Sequence, residues 1–171
     1  MQKDIQNWTE CVRGYSIPLT IMSWAVVFVF ALKHGGNLWL GLLAGLGIEA
    51  AHLATNLIDD YIDYQIICKD QNFENTMQKG KCRLICQNII SLEEIKIAII
   101  LLCAFATLIG VILFFLSGPH VLWLMAIGAL AVLFYQKRSL VGCSELAVGI
   151  VYGPLMFEGT RSEEHTSELQ S

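Results

Sequence analysis

The stretch L38-WLGLLAGLGIEAAHLATNLIDDYIDY-64 decides how this chain folds. Leu38 to Ile58 is an apolar run long enough to cross a bilayer. It is rich in Gly and Ala, which lets a helix pack closely on its neighbours. Polar residues are threaded through its second half at helical spacing. Residues three and four apart share a helix face, so Glu49, His52, Asn56, Asp60 and Asp63 form one stripe, with Asp59 one turn before Asp63. The three aspartates repel one another, and they sit toward a helix C-terminus, where the macrodipole already disfavours negative charge. A solvated acidic helix end just past the membrane would account for the aspartates alone. The stripe inside the span argues for more, because ionisable residues within membranes mark functional sites. A hard divalent cation would offset the repulsion, and Mg²⁺ characteristically bridges one or two carboxylates to a substrate phosphate.

The rest of the chain supports a membrane setting. Of its 171 residues 55% are apolar and only 15% charged, with a mean hydropathy of +0.57, more apolar and less charged than an ordinary soluble domain. Further apolar runs are Tyr15 to Leu32, Ile95 to Leu116, Val121 to Tyr135 and Leu140 to Phe157, giving about five spans. Pro18 near the start of the first run is tolerated there. That run is long and aromatic with no small-residue cleavage site behind it, so it reads as a span and not a removable signal. Residues 1–13 are polar, with Trp8 suited to an interface. K33-HGGN-37, S117-GPH-120 and Q136-KRS-139 are turns or breaks, and residues 59–94 form a long polar segment. Within that segment S91-LEE-94 has the form of a helix N-cap with Glu at the third helical position.

Basic residues fall in alternate segments. Lys3 and Arg13 precede the first run, Lys69, Lys79, Lys81, Arg83 and Lys96 lie in or just after the long segment, and Lys137 and Arg138 lie in the later break; the intervening turns hold only Lys33. By the positive-inside rule the N-terminus, the 59–94 segment and the 136–139 break face the cytosol. No basic tract is interleaved with aromatics, which excludes a nucleic-acid partner. The cysteines are scattered. Cys82 and Cys86 are spaced CxxxC, but no His lies in their loop to complete a zinc site, and cytosolic thiols stay reduced.

N56-LIDDYIDY-64 resembles the first aspartate-rich motif of the UbiA superfamily of membrane prenyltransferases, most of all its 1,4-dihydroxy-2-naphthoate prenyltransferase (MenA) branch. Asn56, Asp60, Tyr61 and Asp63 match the pattern N-x-x-N-D-Y-x-D. Asp59 departs, since the family usually has Asn there. A further acidic residue expected a few positions on is not in register: Ile67 holds one candidate position and Asp70 lies nearby. K79-GKCRLICQNIISLEEIK-96 resembles the family's basic loop and the helix start after it. F134-YQKRSLVGCSELAVGIVYGPL-155 resembles the end of the fourth family helix, its loop and the fifth helix. W8-TECVRGYSIPLT-20 is similar to the opening helix, where an Arg before the span is usual.

The resemblance implies an all-α integral membrane bundle of about nine helices, of which about five are present. It implies Mg²⁺ held by Asn56, Asp59, Asp60 and Asp63. Asp60, Asp63 and Arg83 become candidate catalytic residues, and Asn56, Lys79, Lys81, Tyr135 and Lys137 (or Arg138) candidate substrate-binding ones. The expected partners are a polyprenyl diphosphate, an aromatic acceptor and the lipid bilayer of the cell's inner, cytoplasmic membrane. Other branches, making ubiquinone, haem O or archaeal-type lipids, are alternatives within the superfamily. A non-catalytic membrane binding subunit is the alternative outside it. The D-x-x-D-G pattern of CDP-alcohol phosphotransferases is missing from the sequence. R161-SEEHTSELQS-171 has no membrane character and resembles a translated sequencing-library adapter. Residues 1–159 are therefore expected to be the N-terminal part of a prenyltransferase domain and 160–171 a non-native tail. Since the family's second aspartate-rich motif lies between later helices, the 171-residue chain alone is expected to be inactive.

Overall fold

The computed structural model describes residues 2–67 and 83–119, together with 121–123, 125–127 and 130. Among the described residues every regular element is helical: α1 (Gln2–Cys11), a 3₁₀ turn (Gly14–Ser16), α2 (Ile17–Lys33), α3 (Leu38–Ile67), α4 (Arg83–Cys86) and α5 (Leu92–Ser117). Three segments are long and apolar enough to cross a membrane, Gly14–Lys33, Leu38–Gln65 and Leu92–Ser117. The expected all-α membrane architecture is what is found, and the first three spans fall where the apolar runs placed them. The described residues of the expected fourth run are helical. Its remainder, the expected fifth run, the 68–82 stretch and residues 160–171 lie outside the described residues.

The chain divides into two units, one of residues 1–18 and 49–106, the other of 19–48 and 107–171. In the first, Cys11, Leu57, Leu84, Ile85, Ile90 and Ile95 form a buried core. The polar N-terminal segment is a helix, which the sequence reading did not anticipate. Asp4 in its first turn suits the macrodipole, while Trp8 and Val12 pack against the core beside buried Cys11. Trp8 is therefore partly a packing residue, beyond the interfacial role expected of it. The described parts of the long segment after the second run, 59–67 and 83–94, carry helix as well. α3 continues past Ile58 to Ile67 because Leu57, Tyr61 and Tyr64, spaced along one face, all reach the core. Leu84, Ile85 and Ile90 tuck under it, with Asn88 in the left-handed region (φ 54) turning the chain toward α5. α5 begins with the expected cap: the Ser91 hydroxyl accepts from Glu94 N–H at 3.2 Å and the Glu94 carboxylate accepts from Ser91 N–H at 2.8 Å.

In the second unit, Gly41 and Gly45 let the helices approach closely. A Cβ on Gly45 would stand 2.6 Å from Trp24 Cε2, and one on Gly41 2.3 Å from Phe28 Cε2. The rings stack with centroids 4.7 Å apart, and Trp24 Nε1 donates to the Gly41 carbonyl at 3.0 Å. The turn between α2 and α3 uses Gly35 at φ 89, and Asn37 caps α3 by accepting from Trp39 N–H at 2.9 Å and Leu40 N–H at 3.2 Å.

Candidate active site

The polar stripe of α3 meets the turn that joins α1 to α2. α1 ends at Cys11, and Arg13 then takes the left-handed conformation, φ 55 and ψ 51. Such a φ is uncommon outside Gly, Asn and Asp. Gly14 follows, where a Cβ would lie 2.6 Å from Thr9 Cγ2, so the turn can fold back only with glycine there. Four contacts hold it. The Ser16 hydroxyl donates to the Arg13 carbonyl at 2.8 Å. Asn56 Nδ2 donates to the Val12 carbonyl at 3.0 Å and to Ser16 Oγ at 3.2 Å. His52 Nε2 lies 3.2 Å from the same hydroxyl.

This geometry sends the Arg13 side chain onto the carboxylates. Its Nη2 donates to Asp59 Oδ2 at 2.9 Å and also to Asp60 Oδ1. Asp59 is 3% and Asp60 7% exposed. Burying a carboxylate without a partner is costly, and here two adjacent ones share one guanidinium. Burial works against the charge on Arg13, but Asp60 and Asp59 outweigh it and hold the guanidinium more firmly protonated than usual. The same burial, with Asp60 adding to it, pushes the neighbouring Cys11 thiol up to about 11.

The stripe expected from helical spacing is thus present, and it draws Asn56, Asp59 and Asp60 to one place. Asp63 lies about one turn further along α3 and is partly buried. Asn56, expected as a ligand, uses its amide nitrogen to fasten the 12–16 turn. Further up the helix, His52 Nδ1 stands 3.7 Å from Glu49 Oε1, and among the described residues neither buried Glu49 carboxylate oxygen has a hydrogen-bond partner. Arg83, expected beside the diphosphate, opens α4 and donates to Glu10 Oε1 at 2.5 Å, both side chains being well exposed. Lys79, Lys81, Tyr135 and Lys137 lie outside the described residues. The sequence reading missed Arg13 as a site residue. It counted this Arg only as a positive-inside charge and as the Arg usual before the first span, although a triple aspartate cluster demands a nearby cation.

Among the described residues no group of three or more His, Cys, Asp or Glu gathers closely enough to cage a metal ion. The arrangement offers two hard, oxygen-only carboxylates on a membrane-crossing helix, held by a guanidinium that is itself fixed by a strained turn. Such a set can attract a cation that brings most of its own ligands. No curated protein and no solved structure matches the chain. The UbiA prenyltransferase family does match, over residues 19–160. A helical membrane chain with an Asn-x-x-Asp-Asp-Tyr-x-Asp cluster ending its second span, matched over most of its length, belongs to the UbiA prenyltransferase family.

Proposed function

We propose that this chain supplies the metal–diphosphate half of a prenyl-transfer site, and that the aromatic acceptor is 1,4-dihydroxy-2-naphthoate, as in the MenA branch of menaquinone synthesis. The observation that carries the reading is the buried Asp59–Asp60 pair on α3, in a family whose members transfer prenyl groups to aromatic acceptors. The donor set suits Mg²⁺ that arrives with a diphosphate, since Mg²⁺ keeps several waters and needs only one or two protein carboxylates beside substrate phosphates. Asp60 and Asp63 would hold it, with Asp59 beside them and Asn56 through its carbonyl oxygen. When bound, the cation neutralises charge on the leaving diphosphate.

The chain's own residues then position the donor. The acidic cluster would hold the cation, and with it the diphosphate, at the membrane face, while Arg83, Lys79 and Lys81 would meet the phosphate oxygens directly, the Arg by a bidentate fork. Tyr135 and Lys137 would face the same site. The allylic C–O bond breaks with its electron pair leaving on the diphosphate. The ring's π electrons form the new C–C bond, and the attacked carbon regains aromaticity by losing its proton or, where it bears the carboxylate, by losing CO2 with the C–C bonding pair returning to the ring. The prenyl tail lies among apolar helices, which accounts for a membrane enzyme. The basic-residue bias supports a cytoplasmic-membrane location with the N-terminus and aspartate motif cytosolic.

The test is binding of a prenyl thiolodiphosphate, which resists ionisation, to the protein in nanodiscs. Binding should require Mg²⁺, vanish with EDTA, and weaken by about 100-fold or more in Asp60→Asn and Asp63→Asn. Metal-independent binding that survives both substitutions would sink the reading. Donor-loaded protein should prefer 1,4-dihydroxy-2-naphthoate to 4-hydroxybenzoate; the reverse preference would move the chain to another branch.

A further inference from the structure

We propose that Arg13 is a built-in counter-ion that occupies the carboxylate pair before a divalent cation arrives and competes with that cation for Asp59 and Asp60. The proposal rests on the metal reading above and adds a residue to it.

Three observations carry it. First, the guanidinium occupies oxygens that a cation at this cluster would draw on: one nitrogen, Nη2, contacts a carboxylate oxygen of Asp59 and of Asp60. A metal bridging those oxygens and Arg13 in its present place cannot coexist. Second, the contact is built and not incidental. The αL backbone of Arg13, the glycine needed after it, and the hydrogen bonds from Ser16 and Asn56 all aim the side chain at α3. A left-handed Arg costs free energy that the surrounding structure must offset. Third, the aspartates are almost fully buried. Two adjacent buried carboxylates without a cation would repel each other and unsettle the helix end. Arg13 therefore lets the site exist in its metal-free form, while weakening the affinity of that form for the metal.

The sign of one measurement separates this from the ordinary alternative. A residue that merely orients metal ligands from outside raises affinity, and its loss weakens metal binding by roughly 10–100-fold. A competitor does the opposite. Mn²⁺ binding to the full chain in nanodiscs, read by electron paramagnetic resonance, should tighten by about tenfold or more in Arg13→Gln, since a positive charge beside the cation is removed. Its melting temperature without metal should fall, and Mn²⁺ should restore it. Arg13→Lys keeps a positive charge on a single nitrogen, but on a shorter and more strongly hydrated head that leaves water more easily between itself and the carboxylates, so its affinity should lie between the two. Equal or weaker Mn²⁺ binding in both variants would overturn the proposal. Asp60→Asn, made in the same backgrounds, tells this failure from a deeper one. If it abolishes Mn²⁺ binding while the Arg13 variants do not tighten it, the metal reading stands and the competition does not. If Asp60→Asn leaves Mn²⁺ binding unchanged, the metal reading itself falls and takes the proposal with it.

Discussion

At the scale of single residues, the behaviour of the N-terminal turn follows from where charge is buried. Cys11 lies in the core beside Asp60, and its thiol is pushed from 9.0 to about 11. Burial penalises the thiolate, and the nearby carboxylate adds to the penalty. A raised folded-state value means that the folded chain keeps the thiol proton better than the unfolded chain does. The resulting stability is complete below about pH 9 and is lost as pH rises toward about 11. Alkylation by iodoacetamide should follow the same curve, with the Cys11 rate rising to half-maximum near pH 11; a midpoint near 9 would show the thiol is not shielded. Cys11→Ala should remove that part of the alkaline loss of stability. Arg13 shows the limit of reading a sequence locally. Its partners lie 46 and 47 positions away, so no spacing rule joins them. The aspartates could be seen as a site from their own spacing, because the i, i+3 and i+4 pattern is local. The cation that satisfies them could be recognised only by asking which buried charge balances which.

At the scale of elements, the legible features were those written in short-range chemistry. The Ser91–Glu94 cap, the Gly-rich turn after Lys33 and the three long helices are each encoded within a few residues or by one apolar run. α1 was not legible as such, since its sequence is polar and its helicity depends on the core it packs against, whereas helical spacing carried α3 as far as Asp63. Helix contact in the second unit is a case between the two. Gly and Ala in the second run announced close packing without saying against what; the partner is the stacked pair Trp24 and Phe28. Trp24 is tied to the Gly41 carbonyl, so it cannot swing away cheaply when Gly45 gains a methyl group. Gly45→Ala should therefore cost about 1–3 kcal/mol, as overpacking does, read as a lower unfolding temperature in detergent. Trp24→Leu in the same chain should return part of the loss. Additive losses in the double variant would show that the two residues do not meet.

At the scale of the whole molecule, the chemistry depends on which side of the membrane receives the acidic end of α3. A helix of 30 residues is about 45 Å long, while the hydrocarbon core is about 30 Å thick. α3 can therefore cross the bilayer and still carry Asp59, Asp60 and Asp63 to its edge, where a diphosphate could meet them while its prenyl tail stays in the apolar layer. The charge pattern predicts one orientation: Lys33 is the only basic residue in the turns expected on the outer face, against nine in the segments expected in the cytosol. The prediction can be checked in a cysteine-free background in intact cells. His34→Cys, in the turn between α2 and α3, should react with a membrane-impermeant maleimide added from outside. Asp4→Cys, on the exposed side of α1, should react only after permeabilisation. The inverse pattern would put the aspartate cluster on the outer face, away from cytosolic prenyl diphosphates, and prenyl transfer at that site would then have no donor. Orientation is thus the property of the whole chain on which the residue-scale reading depends, and the lysines and arginines that bias it include the very ones, Lys79, Lys81, Arg83 and Lys137, proposed to meet the substrate.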